Sequence, residues 1–380
     1  MKDVSDSRIL IVDDVKANVD VLVQALRGEY KLSVALDGAS ALRSLERNPA
    51  DLVLLDIMMP PGIDGYEVCR QMRANEATRE VPVMFLSSLE DVKDKARGFE
   101  VGGNDYLTKP FEMLEVKARV HSLLKAKAYA DAVKEAMARD LRIAREIQMG
   151  ILPADLAAIT RGSNVDVQAI IEPARKVGGD LYEVLRADDD RLVVALGDVS
   201  GKGIPAAIFM AVSMTVLRTL ARHIVDPAEI LTRLNDELAA QNPRGMFVTI
   251  QCLVFDRASR TVTGAGAGHH QLVILSPGQP PRQAFASSGL PAGLLPVNRI
   301  ESESMPLSPG DTFVLFSDGV SEAINEADEF FGDDRLLTHL DLLASGTPAE
   351  IVRGTLEAVR DFVGTAPQSD DITILAARFL

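Results

Sequence analysis

Residues 8–14 read RILIVDD, an apolar run that ends abruptly on two carboxylates. Near-continuous hydrophobicity over so few residues is what a strand needs when both faces of its sheet are covered by helices. The same texture returns at 52–55 (LVLL), closed by Asp56, and at 81–86 (VPVMFL), closed by Ser87. Helical spacing fills the intervals at 15–26, 39–46, 66–73 and 91–99. Strands and helices alternating over short connections predict a doubly wound α/β unit, whose ligands gather beyond the carboxyl ends of the strands. Asp13, Asp14, Asp56 and Ser87 stand at such ends, as do Thr108 and Lys109 after a last strand carrying Tyr106.

Carboxylates crowded into one crevice repel one another unless a cation intervenes or a pKa rises. Three oxygens at a sheet edge suit a hard divalent ion such as Mg²⁺, with waters completing its shell. Lys109 there can pair with an added phosphoryl group and Ser87 can hydrogen-bond it, so Asp56 is placed to accept a phosphoryl group as a carboxylate nucleophile. Taken alone, Asp-Asp after a strand is a common turn or N-cap signal. In combination, IVDD, DIMMP, LSS and DYLTKPF make the segment resemble a two-component receiver domain. The resemblance implies a flavodoxin-like, five-stranded parallel sheet and phosphorylation at Asp56 by a histidine kinase or phosphotransfer protein. It also implies Mg²⁺ held by Asp13, Asp14, Asp56 and the Met58 carbonyl, with switch roles for Ser87, Tyr106 and Lys109. The loop Pro60-Pro61-Gly62 is one residue longer than usual and leaves the acidic triad intact.

Over residues 111–151 there is no strong helix breaker apart from Gly150. Val133, Met137, Ala144, Ile147 and Ile151 recur at three-or-four spacing between charged residues, which predicts a long helix with one apolar seam. The seam fits a linker helix packed on its own neighbours or a coiled coil joining two copies into a homodimer.

From about residue 163 the texture changes again. Strand-like runs (VDVQAII, RLVVALGDV, MFVTIQCLVFD, RTVTGAGAG, QLVIL, DTFVLF) are separated by turn clusters, with helical blocks at 204–220, 227–240, 335–343 and 348–362. Runs of strands with segregated helices predict an α+β unit, two packed sheets with helices outside. Four aspartates end apolar strands or sit in glycine-bearing turns: Asp180 (VGGD), Asp198 (LGDVSGKG), Asp318 (FSDG) and Asp370 (QSDDIT). Glycine beside a carboxylate lets backbone approach a ligand and frees a carbonyl for coordination. With no His/Cys cluster for zinc, an all-oxygen site for Mg²⁺ or Mn²⁺ is expected, and a pair of such ions can serve direct phosphate hydrolysis. Asp371 competes with Asp370 for the ligand role, since adjacent strand residues face opposite ways. Asp188-Asp189-Asp190 reads as a hairpin turn, Asp333-Asp334 as a helix cap, and His269-His270 as structural. Lys202 in GKG lacks the length of a phosphate-binding P-loop.

This half resembles the bacterial PPM metal-dependent serine/threonine phosphatases, in the branch of sporulation and stress-response sigma-factor regulators. The likeness rests on PARKVGGDLYE, GDVSGKGIPAAIFMA, MFVTIQCLVFD, GAGHH, GLPAGLL, LSPGDTFVLFSDGVSEA and SDDITIL, in that order. It implies two Mn²⁺ or Mg²⁺ ions on Asp180, Asp198, Asp318 and Asp370 with the Val199 carbonyl, and Arg175 steering the phosphate. It further implies a phosphorylated protein substrate, an anti-sigma-factor antagonist. Glu183 stands where many relatives have Asp, and His270 where Asn is usual. The resulting expectation is a receiver over 1–127, a helical linker over 128–160 and a phosphatase over 161–380. The other reading is an adaptor that works by protein binding, which the four retained aspartates disfavour.

Composition agrees. The 55 acidic against 40 basic residues leave a net charge of −15, which argues against nucleic acid as a direct partner. Two cysteines exclude a disulfide framework, and no apolar run reads as a bilayer span, so a cytoplasmic protein without a membrane partner is expected.

Overall fold

The computed structural model describes residues 4–88, 92–240, 242 and 244–380. The chain divides into two compact units, Met1–Arg139 and Asp140–Leu380.

In the first unit the strands are β1 (Arg8–Val12), β2 (Lys31–Ala35), β3 (Leu52–Asp56), β4 (Val83–Ser87) and β5 (Asp105–Thr108). They form one parallel sheet in the order β2-β1-β3-β4-β5. Helices α1 (Lys16–Leu26), α2 (Gly38–Arg47), α3 (Gly65–Ala74) and α4 (Val92–Glu100) connect them. The helix expected from residue 91 is seen from Val92; Asp91 lies outside the described residues. Alternate residues feed two cores, Leu10, Val12, Val53, Leu55 and Phe85 on one face, Ile9, Ile11, Leu52, Leu54 and Met84 on the other. Both faces are therefore dry, which is why these strands read as unbroken apolar runs. Edge strand β2 carries Lys31 and Ser33 and has one buried residue, Ala35, so it gave no such signal. Asp37 and Asp64 start α2 and α3 by accepting from the backbone N–H three residues on. Parallel register sets Val12 level with Leu55 and Ser87 level with Thr108, which brings the residues after each strand to one edge.

Helix α5 (Met113–Ile151) runs unbroken for 39 residues. Its seam residues Val133, Met137 and Ile147 are exposed, as is Ile143.

The second unit adds β6 (Val165–Glu172), β7 (Leu181–Arg186), β8 (Arg191–Val199), β9 (Val248–Asp256), β10 (Thr261–Ala267), β11 (Leu272–Leu275), β12 (Arg282–Ala284), β13 (Glu303–Pro306), β14 (Thr312–Phe316) and β15 (Ile372–Phe379). They make two antiparallel sheets, ordered β13-β10-β9-β8-β7 and β12-β11-β14-β15-β6. The helices are α6 (Leu156–Thr160), α7 (Ile204–Ala221), α8 (Pro227–Ala240), α9 (Asp318–Ser321), α10 (Asp333–Leu343) and α11 (Pro348–Val363). Period-two alternation builds the layers. Phe313, Leu315, Leu375 and Ala377 pack with the first sheet and with Met210, Met214 and Leu217 of α7. Val314, Ile374 and Ala376 turn the other way, onto α10 and α11. Phe255 meets Phe313 edge-on between the sheets, their centroids 5.3 Å apart.

Several expectations need correction. The short edge strands β12 and β13 carry too few apolar positions to announce themselves, whereas β7 is largely buried but has Glu183 interrupting its apolar run. Helix α10 begins at Asp333 with Gly332 as N-cap, so Asp333 and Asp334 lie in its first turn rather than capping it. Helix α7 is, among the described residues, the one helix long and apolar enough to cross a membrane, contrary to the reading of its sequence. Its hydroxyls hide this character, because Ser213, Thr215 and Thr219 each return a hydrogen bond to a carbonyl four residues back. The Asp188 turn is as expected, its carboxylate accepting from the Asp190 and Arg191 N–H groups.

Candidate functional site

At the strand ends of the first unit, Asp13, Asp14 and Asp56 each offer an oxygen within 4.8 Å of the others, the one such trio among the described residues. Asp13 is fully buried, Asp56 nearly so, and Asp14 is exposed. Val15 N–H and Asn18 Nδ2 donate to Asp13 at 2.9 and 3.0 Å, which fixes its carboxylate. Lys109 Nζ lies 2.8 Å from Asp13 Oδ2 and 2.7 Å from Asp56 Oδ2. Burial nevertheless raises the Asp56 pKa, with the Lys109 hydrogen bond opposing it. For Lys109, burial disfavours the charge, but the two carboxylates outweigh it and raise the pKa. Met58 N–H reaches Asp56 at 3.4 Å, on the exposed loop after β3. Ser87 and Tyr106 are buried, and Lys109 N–H donates to the Ser87 carbonyl at 2.8 Å. The Tyr106 ring lies between those of Phe85 and Phe99, and its hydroxyl fills the space a Cβ would take at Gly98. That glycine admits the inward tyrosine.

In the second unit, Asp180 precedes β7, Asp198 sits near the end of β8, Asp318 opens α9 after β14, and Asp370 lies just before β15. Asp180 is buried; Thr373 Oγ1 donates to its Oδ2 at 2.5 Å, while Oδ1 has no hydrogen-bond partner. The carboxylates repel in series. Asp180 is pushed far up by burial and then by the Asp198 charge. Asp198 rises to about 7 through burial and Asp318, and Asp318 rises through burial and Asp370. Close approach depends on two glycines: a Cβ at Gly179 would stand 2.8 Å from the Val199 carbonyl, and one at Gly178 2.2 Å from Asp371 Oδ2.

The two adjacent aspartates are told apart by their partners. Asp371 accepts from Ala174 N–H at 2.8 Å and Gly179 N–H at 2.7 Å, holding the loop that leads to Asp180. Asp370 is half-buried and pairs with Lys202 Nζ at 2.8 Å. Arg175 is exposed on the same loop. His269 is buried and held neutral, its pKa lowered to about 3 by burial. Its Nε2 donates to the Phe316 carbonyl at 3.0 Å and Nδ1 meets Thr249 Oγ1 at 2.9 Å, so it ties the first sheet to the strand before Asp318.

Some participants escaped the sequence reading. Gln148 of α5 donates to the Gly178 carbonyl at 2.6 Å and accepts from its N–H at 3.2 Å. Arg218 of α7 donates to the Ile151 carbonyl at 2.8 Å and to buried Glu183 at 2.7 Å. Both side chains occupy polar positions of helices, where periodicity cannot separate a solvated residue from a clamp.

Together the two sites and their sheets define a response-regulator receiver joined in one chain to a PP2C-type phosphatase domain. Residues 188–380 match the family described as Stage II sporulation protein E (SpoIIE), and residues 9–121 the response regulator receiver domain. The chain belongs to the SpoIIE family and carries a receiver domain. Among characterised relatives, Response regulator PleD of Caulobacter vibrioides is 41% identical over 138 residues, 36% of this chain and 30% of that protein. Protein IcfG of Synechocystis is 27% identical over 275 residues, 65% of this chain and 43% of that one. The chain thus spans less than half the length of either relative. The SiaA-PP2C domain of Pseudomonas aeruginosa superposes with a TM-score of 0.59 at 26% identity, over 66% of this chain and 99% of that domain. The PP2C domain of SpoIIE from Bacillus subtilis shares the fold, with a TM-score of 0.50 at 21% identity over 56% of this chain and 63% of that one.

Proposed function

We propose that the receiver, phosphorylated on Asp56, controls cation-dependent hydrolysis of phosphoserine or phosphothreonine on a protein by the second unit. One observation carries the catalytic half: burial raises the pKa values of Asp180, Asp198 and Asp318, helped in turn by the charges of Asp198, Asp318 and Asp370, while Asp180 keeps a buried oxygen without a partner. Such an arrangement is costly on its own and fits an all-oxygen seat for divalent cations. Asp180, Asp198, Asp318 and Asp370, with the Val199 carbonyl, would hold two Mn²⁺ or Mg²⁺ ions, which when bound activate water and take up phosphate charge. The protein's own groups do the positioning. Asp371 fixes the loop to Asp180, His269 ties Thr249 to Phe316, and exposed Arg175 is suited to meet the substrate phosphate.

The regulatory half rests on the Asp56–Lys109 contact and on α5. A phosphoryl group on Asp56 brings new charge and acceptor oxygens to Lys109 and Ser87, and Mg²⁺ on Asp13, Asp14, Asp56 and the Met58 carbonyl would accompany it. The last turn of α5 is clamped by Gln148 and Arg218 to the segment bearing Asp180, which supports that helix as the relay. The phosphodonor is a histidine kinase or phosphotransfer protein. Kinship with Stage II sporulation protein E supports an anti-sigma-factor antagonist as substrate, and the exposed seam of α5 supports a homodimer.

Phosphate release from a phosphoserine-bearing protein tests the catalytic half. Release should require Mn²⁺ or Mg²⁺ and vanish in Asp198→Asn. No release with either cation, alongside partner binding that still follows Asp56 phosphorylation, would favour the adaptor instead.

A further inference from the structure

Lys202 projects from the loop between β8 and α7, between Gly201 and Gly203, whose φ angles of 85° and 78° are left-handed. A Cβ at either glycine would meet nothing within 4 Å, so the loop backbone lies in open space. The Lys202 ammonium makes two contacts, 2.8 Å to Asp370 Oδ2 and 2.7 Å to the Ser369 carbonyl. Among Asp180, Asp198, Asp318 and Asp370, this is the one side-chain cation paired with a carboxylate among the described residues.

We infer that Lys202 and a divalent cation are alternative occupants of Asp370, so that Lys202 is a built-in counter-ion which the incoming cation must displace. The inference rests on Asp370 being a cation ligand. The pair is half-exposed, which keeps it weak enough to exchange. Permissive glycines on both sides let the lysine swing away without moving β8 or α7. Lys109 makes the same kind of contact with Asp13 and Asp56 in the first unit.

Calorimetric titration of the full chain with Mn²⁺ tests this, in an Asp13→Asn/Asp14→Asn background that removes the receiver's carboxylates. Lys202→Gln should bind Mn²⁺ about two- to fivefold tighter than its parent, the range expected for losing one exposed ion pair. Added to Asp370→Asn, the same change should give no gain. Equal affinity of Lys202→Gln and parent overturns the inference, as does a gain that persists without the Asp370 carboxylate, because the effect is then diffuse charge. If Asp370→Asn itself leaves affinity unchanged, Asp370 is not a ligand, and the assignment under the inference falls instead.

Discussion

Asp198 shows at the level of one residue what crowding buried carboxylates costs the fold. An ordinary aspartate titrates near 3.8, whereas burial and Asp318 hold Asp198 at about 7. Between those values the folded chain binds more protons than the unfolded one, so this group's contribution to stability falls as pH rises through that window. Asp198→Asn should therefore be more stable than wild type in chelated solution at pH 8, by on the order of 2–4 kcal/mol. The gap should close towards pH 5, which urea denaturation at the two pH values would follow. A wild type that is the more stable at pH 8 would contradict the repulsion. The neighbours Asp370 and Asp371 offer a second comparison. Asp371→Ala strips acceptors from the Ala174 and Gly179 N–H groups and should cost about 1–3 kcal/mol, more than Asp370→Ala, whose carboxylate is half-exposed. Equal thermal stability of the two variants would undo that distinction. Sequence could place both aspartates after a turn but not say which one faces inward, because that depends on a loop nearly two hundred positions away.

Among the elements, the strands that sequence exposed most readily are those buried on both faces, such as β1 and β3, together with β8 and β9. Strands β2, β12 and β13 stayed hidden because an edge leaves them polar. The extent of α5 was legible, since little within it breaks a helix, yet what its last turn does was not. Gln148 holds both backbone groups of Gly178, and Arg218 joins the Ile151 carbonyl to Glu183. The segment carrying Asp180 is thus gripped on both sides by the helix end. Gln148→Ala should leave the buried Gly178 groups unpaired, at about 1–3 kcal/mol, and should bring the ratio of phosphorylated to unphosphorylated phosphatase rates severalfold closer to one. An unchanged ratio would remove this turn from the relay.

For the whole molecule, two-unit architecture and the acidic clusters could be read from strand texture and from aspartates at strand ends, because both follow from local pattern. The pairings that tune those clusters, Lys202 with Asp370 or Thr373 with Asp180, join residues far apart in sequence and appear only on folding. The exposed seam of α5 predicts a dimer in sedimentation velocity at micromolar concentration, and a strict monomer with and without phosphorylation would contradict it. The central claim is that the receiver governs the phosphatase. Its most direct test is the rate of phosphate release from a phosphoserine protein with saturating Mn²⁺, measured before and after treatment with a small acyl phosphate, in wild type and in Asp56→Asn. The account predicts a severalfold change in wild type and none in Asp56→Asn; identical rates in treated and untreated wild type, with Asp56 shown to be phosphorylated, would contradict it.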